Sequence, residues 1–229
     1  MKTFVEPLEA LSGFSDITKK ANKEPGLYAF TGCIDAQKPH MIYATCPERK
    51  HKIIVTFHEQ KAKELYEEYS FFDPKAVYYP AKDLLFYQSD VRGNVLTAER
   101  IRALKRLLEQ ENVSIITTFD ALMNTMPPKE RFKDNVLSLS VGDVLSLEDI
   151  TRRLICMGYE KEYQVQTMGQ FALRGGILDI FPLTEENPIR IEMWGDEIDT
   201  IRTFDTENQK SIENIEQIQV FPACELVLN

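Results

Sequence analysis

Gly32-Cys33-Ile34-Asp35-Ala36-Gln37-Lys38-Pro39 is the segment of this chain that comes nearest to a catalytic frame. A glycine followed at that spacing by a lysine is the skeleton of a phosphate-binding loop, G-x-x-x-x-G-K-[ST]. Two elements fail the chemistry. Gln37 stands where a second glycine would let the backbone close around phosphates. Pro39 replaces the hydroxyl residue that would hold magnesium, and it has no N–H to donate. Nor does an Asp-Glu pair follow an apolar strand to bind metal and orient water. The segment reads as a chance match or as a decayed phosphate loop. Its setting between an expected strand, Gly26 to Thr31, and an expected helix favours decay. On either reading the loop does not hydrolyse ATP.

Other catalytic sets are missing. There is no G-x-S-x-G elbow and no Ser/His/Asp arrangement. The histidines His40, His51 and His58 stand outside any HExxH frame. Cys33, Cys46, Cys156 and Cys224 form no CxxC pair and lack a histidine at ligand spacing, so they read as buried free thiols, with no metal site. Asp196, Glu197 and Asp199 could be proposed as paired carboxylates, but Gly195-Asp196-Glu197 reads as a turn with a solvated face. No catalytic residue is assigned.

Recognition chemistry is better represented. Along Ile189-Arg190-Ile191-Glu192-Met193-Trp194, strand periodicity puts Ile189, Ile191 and Met193 on one face and Arg190, Glu192 and Trp194 on the other. The apolar trio belongs to a core. The single tryptophan then shares an open sheet face with an arginine, the two residue types most enriched at interface hot spots. A structural cation–π pair, or a tryptophan covered by a neighbouring domain, is the alternative. Upstream, Gly175-Gly176 suggests a bulge or a close backbone approach that re-aims Arg174.

The elements that must position these residues fall into two grammars. Up to Pro127-Pro128, strands and helices alternate. His51–Phe57 reads as a strand buried on both faces, Glu59–Tyr69 as a polar helix with a Glu59/Lys63 ion pair, and Ala76–Pro80 as a strand. Thr97 is expected to cap a helix carrying Ile101, Leu104, Leu107 and Leu108 on one face. Val113–Thr118 is a further strand, followed by a short helix from Phe119 to Asn124. That order implies a parallel sheet flanked by helices. Beyond the prolines, Val136–Val141 alternates, and Ser146-Leu147-Glu148-Asp149 is a capping box for a helix stopping at Gly158. Tyr163–Thr167, Phe171–Phe181, Ile189–Trp194 and Glu197–Phe204 read as hairpin-connected strands. The expected fold class is α/β: a parallel-sheet domain over residues 1–130, then a small, mostly antiparallel α+β domain over 131–229.

Composition sets the bounds. The 229 residues are 43% hydrophobic, 28% charged and 10% aromatic, enough for a sizeable core and for one or two domains. The net charge of −9 is unevenly placed: residues 1–130 balance 18 cations against 18 anions, whereas 131–229 set 9 against 18. An acidic module is a poor sink for nucleic-acid phosphates. The cluster Arg92, Arg100, Arg102, Lys105 and Arg106 is offset by Asp90, Glu99, Glu109 and Glu111, and reads as a solvated helix face rather than a DNA site. No run reaches a membrane span and the N-terminus lacks a signal-peptide stretch, so a cytoplasmic location is expected.

The run Leu173-Arg174-Gly175-Gly176-Ile177-Leu178-Asp179-Ile180-Phe181-Pro182, continued by Ile189 to Asp205, resembles the N-terminal region of the bacterial transcription-repair coupling factor (Mfd) family. That region is in turn similar to the damage-recognition protein UvrB of the nucleotide excision nuclease. The likeness is specific over about Val136–Ala223, and weaker but collinear before it. Family members are far longer, so the resemblance implies an N-terminal fragment. It further implies that the first domain is helicase-like, P-loop-NTPase-related, and has lost nucleotide binding through Gln37 and Pro39 beside Gly32 and Lys38. The second domain would dock on UvrA, the damage sensor of the excinuclease, through Arg174, Arg190 and Trp194, with the last residues leading back into the first domain.

On this resemblance the chain is a non-catalytic recruitment module for nucleotide excision repair of transcribed DNA, with no cofactor of its own. ATP and magnesium would serve a translocase motor in the C-terminal part of the full protein. RNA polymerase and DNA would be met through parts outside this chain, and the docking surface can be masked by that C-terminal part. The alternative is an ATP-dependent helicase and damage-recognition fragment of the UvrB type. That reading requires an intact phosphate loop and a long aromatic hairpin, for which the stretch Tyr87–Thr97 is too short.

Overall fold

The structure is a computed structural model that describes residues 2–45, 51–82, 90–110 and 112–225, and the side chains of these except at 2–4 and 90–94. Two helices open the chain, α1 (Lys2–Glu9) and α2 (Phe14–Lys23). Then follow α3 (Lys38–Thr45), β1 (His51–Thr56), α4 (Glu59–Ser70), β2 (Val77–Tyr79), α5 (Asp90–Glu109), β3 (Val113–Thr118) and α6 (Phe119–Leu122). The remainder comprises α7 (Lys129–Asp134), β4 (Leu137–Ser140), α8 (Leu147–Cys156), β5 (Glu160–Lys161), β6 (Gln170–Arg174), β7 (Ile177–Ile180), β8 (Ile189–Trp194), β9 (Glu197–Phe204), β10 (Ser211–Ile215) and β11 (Gln217–Val220). The chain divides into two compact units, Met1–Ala81 with Glu109–Met123, and Lys82–Leu108 with Asn124–Asn229.

The first unit is built on a three-stranded parallel sheet in the order β1-β3-β2. Ala62 and Tyr69 of α4 pack with Ala76 and Ile116, and Ile42, Tyr43, Ile54 and Leu65 close around them. The Tyr69 hydroxyl meets the Ser114 hydroxyl at 3.3 Å, and burial pushes its pKa up to about 12. Central β3 is buried nearly throughout, but among the described residues β1 lies at the edge, leaving Ile53 61% exposed. This corrects the expectation of a strand buried on both faces, because an apolar run looks the same whether it ends up central or lateral. The Glu59/Lys63 pair does not form either. The Glu59 carboxylate turns back to the sheet, where it accepts from the Tyr78 hydroxyl, from Thr118 Oγ1 at 2.8 Å and from the Ala81 N–H at 3.0 Å. Three donors at the strand ends outcompete one solvated ammonium.

In the second unit six strands form a mixed sheet, β10-β9-β8-β7-β6-β5, antiparallel except for β5 beside β6. A separate ladder joins β11 to β4. One face of the large sheet carries Phe171, Leu178, Ile180, Ile189, Ile191, Ile198 and Ile201, and Ile150 and Leu154 of α8, with Met157 just after it, pack against them. Ala98, Ile101 and Leu104 of α5 cluster with Phe132, Leu183 and Phe221. Arg100, 1% exposed, holds the Glu225 carboxylate through Nε and through Nη2 at 3.0 Å, and Lys82 adds a third contact at 3.1 Å.

Several local expectations are corrected. Helix α5 begins well before Thr97, which lies inside the helix instead of at its N-cap. Its apolar stripe marks the packed part, while backbone hydrogen bonding continues past the stripe. Residues 90–97 are therefore helical, and the rest of the Tyr87–Thr97 stretch lies outside the described residues. Ser146 is the N-cap of α8, yet its side chain makes no capping bond. Tyr163–Thr167 is no strand: the Gln170 side-chain oxygen takes the N–H groups of Gln166 and Thr167, both at 3.0 Å, and supplants a ladder. Strands β5, β10 and β11 add to the strands read from the sequence. β10 is an edge strand with four of its five residues exposed, and so carries no hydrophobic alternation. Cys156 is exposed and Cys33 and Cys224 half-buried, all three free, so these thiols are not buried as expected; Cys46 lies outside the described residues.

Candidate functional site

The degenerate loop comes first. Gly26–Thr31 has no regular structure, so the strand expected before the loop is missing, whereas the helix after it, α3, is present. Gly32 takes a left-handed φ of +81°, and Pro39 is buried in the first turn of α3, where its lack of an N–H is tolerated. Lys38 Nζ lies 2.6 Å from the Asp35 carboxylate, which also binds Lys61 Nζ at 3.1 Å. The hydrogen bonds from Lys38 and then Lys61 lower the Asp35 pKa. Gly32 and Lys38 line a cleft of about 610 Å³ whose other walls include Phe30, Met41, Ile42, Ile53 and Ile54. The ammonium that would meet a phosphate is engaged by a carboxylate, beside apolar walls.

The basic positions of α5 do not form a solvated face. Arg100 is buried against Glu225, Arg102 Nη2 approaches Met168 Sδ at 3.6 Å, and Lys105 binds Glu185 at 3.0 Å, while Arg106 is exposed. The side chain of Arg92 lies outside the described residues. Asp196, Glu197 and Asp199 are exposed at the β8–β9 turn and along β9. Among the described residues, no three His, Cys, Asp or Glu side chains form a group able to hold a metal ion. No described helix is long and apolar enough to cross a membrane.

In the second unit, on the side of the large sheet opposite its apolar core, lies a half-buried polar cluster. Register places Ala172, Asp179, Arg190 and Arg202 side by side across β6, β7, β8 and β9. Asp179 is 1% exposed, and its carboxylate is the hub. Arg190 donates to it through Nε at 2.7 Å and Nη2 at 2.8 Å, a two-point fork. Arg174, one diagonal step away at the end of β6, donates through Nη2 at 2.6 Å. A second anchor comes from Gln209, whose Oε1 accepts from Arg190 Nη2 at 2.9 Å. The Asp179 hydrogen bond raises the Arg190 pKa against the opposing effect of burial. Beside this cluster the Glu192 carboxylate accepts from Arg202 and from Thr200 Oγ1. Within this cluster three arginines meet two carboxylates, a formal excess of one positive charge in an otherwise acidic module.

Trp194 ends β8 and is 83% exposed, while Met193 packs on the core beneath. The face partition read from periodicity therefore holds. Within the second unit nothing covers the Trp194 ring, and the ring partner of Arg190 is Phe204, with the guanidinium carbon 4.3 Å above its centroid. Gly175-Gly176 is the two-residue turn of the β6–β7 hairpin, and a Cβ on Gly176 would stand 3.1 Å from the Met193 carbonyl oxygen. Close approach, rather than a bulge, explains that glycine. Sequence reading assigns no role to Asp179, Phe204 or Gln209. A signal for the first is present: a lone carboxylate within Ile177-Leu178-Asp179-Ile180 must find partners if the strand is buried.

Comparison with known proteins gives the family context of this segment. Residues 137–226 match the UvrB interaction domain family, a span that contains the whole Asp179 cluster and Trp194. The transcription-repair-coupling factor of Bacillus subtilis (strain 168) is 35% identical over 156 residues, 68% of this chain and 13% of that protein. The chain is homologous to the N-terminal region of transcription-repair coupling factors. The coupling factor of Staphylococcus haemolyticus is 33% identical over 183 residues, 79% of this chain and 16% of that protein. That of Staphylococcus aureus (strain Mu50) is 36% identical over 159 residues, 69% and 14% respectively. The chain thus spans roughly a seventh of the length of the coupling factors it matches.

Proposed function

We propose that the open face of the second unit is a docking surface for the excinuclease protein UvrA, and that the chain recruits it in transcription-coupled nucleotide excision repair. Arg174 and Arg190 meet carboxylates of the partner, and Trp194 fills an apolar recess on it. The observation that carries this reading is the pairing of a fully presented indole with two arginines already fixed on a buried carboxylate. An anchor of this kind needs little reordering on binding, which is where much of the cost of association lies.

In this reading the chain performs no catalysis and carries no cofactor. The first unit is a helicase-like remnant whose Lys38 is engaged by Asp35. ATP-driven translocation, and contacts with RNA polymerase and DNA, belong to parts of a coupling factor outside this chain. Affinity capture tests the assignment. The 229-residue chain should bind purified UvrA, and Arg174→Glu with Arg190→Glu should weaken binding by on the order of a hundredfold or more with the fold intact. Unchanged affinity in the double variant would refute the docking surface.

A further inference from the structure

We infer that Asp179 is the positioning residue of the docking face: its buried carboxylate locks the guanidinium groups of Arg174 and Arg190 into one fixed pair for an anionic partner group. This rests on the docking reading above and deepens it. Asp179 is 1% exposed and lies beneath the surface it organises, so no partner has to touch it. Its two oxygens are shared unequally. Oδ1 takes Arg190 Nε, and Oδ2 takes Arg190 Nη2 at 2.8 Å and Arg174 Nη2 at 2.6 Å. One carboxylate cannot neutralise two guanidinium groups, so the cluster keeps a positive charge and a geometry complementary to a further carboxylate.

Two other residues limit the freedom of Arg190, and the Gln209 backbone carbonyl also accepts from its Nη1 at 3.5 Å. The Phe204 ring supports its guanidinium plane from below, and Gln209 Oε1 holds Nη2 at 2.9 Å. Gln209 sits at φ +60°, the one described non-glycine residue with a left-handed backbone, in the connection between β9 and β10. The strained backbone aims the Gln209 side chain at the cluster and so helps to fix the orientation of Arg190.

Positioning and simple charge predict opposite results, which makes Asp179→Asn decisive. The carboxamide is nearly isosteric, but it turns one acceptor into a donor that opposes the fork, and it raises the charge of the cluster by one. If positioning governs, affinity of the full 229-residue chain for UvrA falls by on the order of tenfold or more despite that added charge. If charge alone governs, binding stays equal or tightens, most of all at low salt. The Nε–H resonance of Arg190 supplies a readout that a merely structural role would not move: slow solvent exchange in the parent chain, fast exchange in the Asn variant.

Should Asp179→Asn not fold, Gln209→Gly decides the matter, since glycine suits φ > 0 and removes the second anchor. A several-fold weaker complex with faster Arg190 Nε–H exchange supports positioning. Parent-like affinity in either folded variant overturns it while leaving the docking surface standing. Failure of the parent chain to bind UvrA at all overturns both.

Discussion

Arg190 rides on Phe204, its guanidinium carbon 4.3 Å above the centre of a ring that is itself fully buried on β9. The same arginine is forked onto Asp179 from the side. Cation, ring and carboxylate thus form one packed unit, and the arginine is part of the module's architecture as well as of its surface. Replacing Phe204 with leucine keeps an apolar filler and removes the flat face. Urea denaturation should show a loss of about 1–3 kcal/mol. A loss within a few tenths of a kcal/mol would mean the ring contributes only ordinary contact.

Trp194 is the opposite case. With 83% of its surface exposed, it contributes little to folding. Trp194→Ala should change stability by no more than about 0.5 kcal/mol. Under the proposed docking, the same change should weaken UvrA binding by roughly 2 kcal/mol or more, because a solvated anchor is desolvated only in the complex. As the sole tryptophan it is also its own probe: indole emission of the free chain should be red-shifted and readily quenched by iodide. Blue, unquenchable emission would place the indole in a buried setting.

The grip of Arg100 on Glu225 stabilises the second unit from within. Both side chains are nearly inaccessible, and Lys82 shares the carboxylate. Glu225→Ala removes the anion and leaves the buried guanidinium's charge uncompensated by that group. A cost of about 3–5 kcal/mol is expected by thermal or chemical denaturation. A cost below about 1 kcal/mol would show that other partners of Arg100, or water, compensate its charge once Glu225 is gone.

Tyr69 gives the first unit an alkaline limit. Burial pushes its pKa from 10.0 to about 12, with the Ser114 hydrogen bond opposing. The unfolded chain releases this proton near pH 10, while the native chain holds it until about pH 12. The contribution is therefore complete below the lower value and is lost progressively as pH rises towards the upper one. Chemical denaturation between pH 9 and 12 should show stability falling with pH, and Tyr69→Phe should flatten that slope. An identical slope in the variant would assign it to another group.

The nucleotide question has a direct readout. With Pro39 in place of a magnesium-binding hydroxyl and Lys38 held by Asp35, calorimetric titration with Mg-ATP should give no saturable heat. Lys38→Ala should leave the trace unchanged. Saturable binding abolished by that substitution would revive a helicase fragment of the UvrB type.

Much of this was legible in the chain because some of its signals are local. Whether Arg190 and Trp194 share a face opposite Ile189, Ile191 and Met193 depends on the two-residue period of a strand, which neighbouring residues encode. The same holds for the helix that stops at Gly158, whose φ is +86°, and for the failed chemistry of Gln37 and Pro39, which depends on residue type alone. Matters of partnership were decided by the tertiary structure. Apolar β1 became an edge strand because β3, some sixty residues later, took the central place. Glu59 left Lys63 for donors on β2, β3 and the segment after β2. Asp179 acquired its partners only when β8 brought Arg190 opposite it and the turn at Gly175-Gly176 brought Arg174 within reach. Periodicity fixes which side of a strand a residue faces; register, set by the packing of distant segments, fixes what it meets there.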